Sequence, residues 1–95
     1  EATIVPFRMM GFALEALELT KKAVGKSNTN AASDLGVASL TLKAAVQGAW
    51  LNVLINLGGI KDQDFVNEYQ GKGNEILEKA LPMADDIYQD ILGSL

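Results

Sequence analysis

The chain has 95 residues, 48% hydrophobic and 21% charged, the composition of one globular domain rather than of a disordered segment. Twelve acids against eight bases leave a net charge of −4, and no stretch gathers the Lys and Arg needed to follow a phosphate backbone, which argues against nucleic acid as a partner. With no cysteine and no histidine, disulfides, thiol chemistry, the usual zinc sites and Ser-His or Cys-His nucleophiles are excluded.

A first helix is expected from Pro6, whose missing N–H suits the first turn. Phe7, Met10, Leu14, Leu17 and Val24 fall on 3- and 4-residue steps, interrupted by Lys21, while Glu15, Glu18 and Lys22 take the wet face. Glu18 and Lys22 are spaced for an i,i+4 pair, and Gly25 is placed to end the helix in a left-handed cap. A short polar loop, Lys26 to Asn30, follows.

The second helix is expected over about Ala31 to Leu57, capped by Asn30 or Ser33, with Asp34 in the first turn where the helix dipole favours an anion. Its apolar residues point all round the axis, from Leu35 and Val37 through Val46, Trp50 and Leu51 to Ile55 and Leu57. A helix apolar on every side needs neighbours on every side. Asn52 and Asn56 stand four apart in this run and share one stripe. A buried amide without partners costs about 1–3 kcal/mol, so the pair calls for partner helices, ordered water or a ligand. The charge-free run Ala44 to Ile60 carries amides and ends at Gly58-Gly59, which argues against a membrane span.

The third helix is expected from Asp62 or Gln63 almost to the end, on a stripe of Phe65, Tyr69, Ile76, Ala80, Met83, Ile87 and Ile91. Gly71 and Gly73 weaken its early part, and Pro82 should kink or break it. The fold class is therefore an all-α antiparallel bundle of three main helices. Three helices cannot surround the second one, so a missing N-terminal half, a dimer partner or both should complete the bundle. No basic region followed by an apolar core opens the chain, which makes the cytoplasm the expected compartment.

The strings "NTNAASDLGVASL" from Asn28 to Leu40, "GAWLNVLINL" from Gly48 to Leu57 and "IKDQDF" from Ile60 to Phe65 occur in that order, preceded by "VPFRMMGFALEALEL". Together they resemble the cyclodeaminase/cyclohydrolase family of folate enzymes, over about Val5 to Leu81. The resemblance implies a helical domain about twice this length that pairs into dimers, with a folate pocket between helices, and makes residues 1–95 its C-terminal half. It implies a tetrahydrofolate derivative as substrate and no metal. The activity would be 5-formimino-tetrahydrofolate cyclodeaminase or 5,10-methenyltetrahydrofolate cyclohydrolase, with the main catalytic carboxylate in the upstream half. The alternative is a helical oligomerisation module that catalyses nothing.

Asp34 matches the family's Ser-Asp motif and is the local candidate for acid–base work or for holding a pterin N–H; the plainer reading is an aspartate that stabilises the helix dipole. Ser33 is a cap or a ligand donor. Asn52 and Asn56 are substrate-binding candidates, because an amide offers both donor and acceptor to a pterin edge, or else they fix helix register through inter-helix bonds. Trp50 and Phe65 read first as packing, and Arg8, Lys43 and Lys61 are the cations available to a glutamate tail.

Overall fold

The computed structural model describes residues 1–26 and 29–95, with residues 29 and 30 described by their backbone alone. Three helices follow in order: α1 (Ile4–Ala23), α2 (Thr29–Leu57) and α3 (Gln63–Ser94). Among the described residues there is no strand, and the fold is the all-α bundle expected. Gly36 lies against Ile91, Lys43 pairs with Asp85 and Trp50 meets Gly73, so α2 and α3 run antiparallel along their length. Phe7 of α1 meets Tyr69 of α3 edge-on at 5.1 Å, so the N-termini of these two helices share one end with the C-terminus of α2. The molecule is a rod of 51 × 17 × 15 Å.

The helix ends show local chemistry at work. α1 begins two residues before Pro6, which becomes its third residue; the first turn still leaves that N–H without an intrahelical partner, so proline is tolerated there. Thr3 precedes the helix, its backbone N–H held by the Glu1 carboxylate, and this hydrogen bond draws the Glu1 carboxyl below its usual range. Gly25 has φ +83°, the left-handed turn that ends α1 as expected. The Asp62 carboxylate accepts from the N–H groups of Asp64 at 3.1 Å and Phe65 at 3.2 Å, which caps α3.

Three expectations are corrected. α2 starts at Thr29, so Ser33 is its fifth residue and not its cap, and Asp34 lies beyond the first turn, where the dipole effect has fallen off. Asn30 as a cap lies outside the described side chains, and the polar loop expected up to Asn30 gives way to helix from residue 29. Pro82 does not break α3, which runs unbroken to Ser94. Its ring is exposed while Ala80 and Ala84 beside it are buried, so the carbonyl freed at Glu78 lies on the wet side.

Met10, Leu17, Val46, Val53 and Ile87 form the centre of the core, flanked by Ala80, Ala84 and Ile91. Gly73 is a structural necessity rather than a weakness: a Cβ there would stand 2.1 Å from Cζ3 of Trp50, so the indole rests on bare backbone. Trp50 and Phe65, the latter 4.6 Å from Tyr69, are packing residues in this chain. The i,i+4 ion pair that closes is Glu68–Lys72 at 2.7 Å, not Glu18–Lys22. By length and composition, Ala31–Leu57 is long and apolar enough to cross a membrane, although Asp34, Lys43 and the two asparagines lie within it.

Candidate functional site

A helix turns 100° per residue, so the buried series Val46, Ala49, Val53 and Leu57 defines the inner face of α2. Ser33, Val37, Leu40, Ala44, Leu51 and Ile55 lie roughly opposite. Asp34, Thr41, Ala45 and Asn52 form a flank between the two, with Asn56 closer to α1. The expected burial of the paired amides is not found. Asn52 is exposed and Asn56 half-buried, and the Asn56 side-chain N–H donates to the Asn52 carbonyl at 2.8 Å. They share a stripe, but within this chain that bond ties one turn of α2 to the next and pins no second helix.

Ser33 and Asp34 are both exposed, near the other end of the same helix. At 1.5 Å per residue, Asp34 and Asn52 stand about 27 Å apart along an uninterrupted axis. One copy of the chain therefore does not bring the carboxylate and the amides into one pocket. Of the cations, Lys43 is committed to Asp85 at 2.8 Å, while Arg8 and Lys61 are exposed.

Two concavities flank the outer face of α2. A pocket of about 150 Å³ lies between its N-terminal half and the end of α3, lined by Val37, Leu40, Leu92 and Leu95 with Ser33 and Tyr88 on its wall. An open apolar groove between α1 and α2 is lined by Met9, Phe12, Ala13, Ala16, Leu42 and Ala45. The groove meets the flank of Asp34 and the amides at Ala45, whereas the pocket lies on the opposite, α3 side of the outer face. An exposed carboxylate can exchange protons with a bound reactant, and an amide can donate and accept on a heterocycle edge, so the flank has the groups for acid–base work on a polar ring.

The outer stripe of α1, Val5, Met9, Phe12 and Leu19, was missed by reading only the steps that begin at Phe7. The signal was present, since these positions with Ala16 also recur on 3- and 4-residue steps. α1 is thus apolar on two faces, as α2 is.

Comparison with known proteins shows what the chain is similar to. A family model described as formiminotransferase-cyclodeaminase matches residues 1–75. A methenyltetrahydrofolate cyclohydrolase of Methylorubrum extorquens is 32% identical over 90 residues, which are 95% of this chain and 43% of that protein. The chain spans less than half the length of this relative.

Proposed function

The chain belongs to the formiminotransferase-cyclodeaminase family, and from that premise we propose that it is the C-terminal half of a helical domain acting on one-carbon tetrahydrofolate in the cytoplasm. The observation that supports this reading most is the match over residues 1–75 together with a folate cyclohydrolase relative that is about twice as long. The relative's name favours hydration of 5,10-methenyltetrahydrofolate; the family's description favours closure of the 5-formimino form with loss of ammonia.

Both reactions pass through a tetrahedral adduct at an amidinium-like carbon. In hydration, water adds to the carbon, its proton passes to a base, and the ring C–N bond breaks as nitrogen is protonated. In cyclodeamination, the exocyclic secondary amine adds to the formimino carbon on the ring nitrogen, and the proton it loses passes to the formimino nitrogen, which leaves as ammonia. Each needs orientation and one mobile proton. Asp34 is the carboxylate of this chain that we assign to take and return that proton, beside any carboxylate the upstream half supplies. Ser33 at one end of α2, and Asn52 and Asn56 towards the other, are the side chains we assign to hydrogen bonds with the substrate. In this reading α2 is a core helix of a larger bundle, and its amides face ligand rather than lipid.

The exposed apolar stripe of α2 favours a second reading, an oligomerisation module without catalysis. Thermal unfolding separates the two. A reduced folate that binds the folded state should raise the melting temperature as its concentration passes the dissociation constant, and a scaffold should ignore it. In a protein containing both halves, Asp34→Asn should lower turnover at least tenfold and shift stability by less than about 0.5 kcal/mol, because the exposed position loses only its ability to exchange a proton. Unchanged turnover would make Asp34 structural.

A further inference from the structure

We infer that Ile91, near the end of α3, is a positioning residue: it clasps the turn of α2 that carries Ser33 and Asp34, and through that turn it sets where the Asp34 carboxylate meets a reactant. The positioning role rests on the reading of Asp34 as the group that moves a proton. The clasp itself stands on packing alone.

Among the described residues the exposed Asp34 carboxylate has no hydrogen bond and no ion pair, so no side-chain partner fixes it. Its place is set by the backbone of its own turn. Two residues on, a Cβ on Gly36 would stand 3.2 Å from Cγ2 of Ile91 and 3.7 Å from its Cβ, so the Ile91 side chain rests on bare backbone. Ile91 is 5% exposed, and Leu92 and Leu95 beside it reach Val37 and Leu40 across the small pocket.

One other link ties this half of α2 to α3, the Lys43–Asp85 pair, but its side chains are 33% and 60% exposed, and an ion pair in water contributes little. The buried contact is the stronger clasp. Gly36 lies about 160° round the helix axis from Asp34, so Ile91 holds the turn from behind and leaves the carboxylate open to a reactant. Ile91 also lies beyond residues 1–75, outside the stretch that the family model matches. Proton transfer needs heavy atoms about 2.6–3.2 Å apart, and a misplacement of about 1 Å can cost about a hundredfold in rate. A loosened turn is enough to cause one.

The test uses a protein containing both halves, with turnover expressed per folded molecule. Ile91→Ala leaves a void behind Gly36 and should lower kcat at least tenfold while KM changes less than twofold, because the amides assigned to the substrate lie towards the other end of α2. Amide hydrogen exchange at residues 33–36 should quicken at least tenfold, with α1 unchanged. Gly36→Ala crowds Ile91 and should act in the same direction, and combining the two substitutions restores the fit and should recover most of both losses. Ile91→Val keeps Cγ2 on Gly36 and should keep kcat. Val66→Ala, at the far end of α3 and 9% exposed in the wild type, should lower the melting temperature and leave kcat and exchange at residues 33–36 as they are. Unchanged exchange in Ile91→Ala overturns the clasp. An equal fall in kcat for Val66→Ala, or quickened exchange with full kcat where Asp34→Asn is impaired, overturns the positioning role. Quickened exchange with full kcat in both Ile91→Ala and Asp34→Asn upholds the clasp and defeats the reading of Asp34 as the proton carrier.

Discussion

Val53 and Ile55 stand two residues apart on α2 and are alike in chemistry, yet the first is fully buried and the second is 74% exposed. The same contrast runs the length of the helix, with Val46, Ala49 and Leu57 inside and Val37, Leu40 and Leu51 outside. Residue type does not distinguish the faces; neighbours do. α1 and α3 cover one side of α2, and each large apolar side chain left on the other forgoes about 1.5–3 kcal/mol of burial. A face of that kind reports an absent neighbour, and the position of the candidate site along its flank ties that neighbour to function.

The comparison is sharpest for two leucines on opposite faces. Leu57→Ala should destabilise the chain by about 2–5 kcal/mol, because Leu57 is 3% exposed and its removal leaves a cavity. Leu51→Ala, at 62% exposure, should change the stability of the dilute monomer by no more than about 0.5 kcal/mol while weakening self-association. Urea midpoints measured at low micromolar concentration, beside sedimentation at high concentration, test both. Equal losses for the two variants in the dilute chain would mean that the faces are not distinct.

Two glycines of the bundle form a second, smaller contrast. Gly73→Ala drives a Cβ into the Trp50 ring, and the strain should fall at the upper end of about 1–3 kcal/mol, more than the roughly 1 kcal/mol that alanine adds in helix propensity. Gly48 has open space where its Cβ would go, so Gly48→Ala should stabilise the chain by about 1 kcal/mol. Trp50 is the one tryptophan of the chain, so its fluorescence should shift in the first variant and not in the second.

Much of the bundle was legible in the sequence. The inner stripes of α1 and α3, the turn at Gly25, the start of α3 near Asp62 or Gln63 and the surplus of apolar surface on α2 all follow from periodicity and turn chemistry. What was not legible depends on tertiary surroundings. The role of Gly73 needs the position of an indole on another helix, and the continuity of α3 past Pro82 needs the core contacts on either side of it. Apolar neighbours in sequence point to burial of Asn52 and Asn56, but those neighbours divide between an inner and an outer face, and the amides fall on the flank between them, Asn52 exposed and Asn56 half-buried. The separation of Asp34 from the amides is simple helix geometry, and its meaning shows only once α2 is seen to have an open side.

The smallest expected effect concerns a face that is wet in every reading. Lys72 on α3 is exposed; its ammonium is held above its usual range chiefly by the hydrogen bond to Glu68 at 2.7 Å, and it lies 5.1 Å from the centre of the Tyr69 ring. Since the folded-state pKa lies above the unfolded value of 10.5, the contribution is complete below pH 10.5 and is lost as pH rises through the folded value. The stability difference between the wild type and Lys72→Met should therefore be small and constant from pH 7 to 9, then shrink as the solution becomes strongly alkaline. Concentrated salt at pH 7 should shrink it too, because exposed charges are screened. Urea midpoints of the two proteins across that pH range are the measurement. A difference that grows with pH would show that Lys72 acts through packing on Tyr69 rather than through charge, and the solvated face of α3 would then belong with the inner face of α2 in how it holds the bundle together.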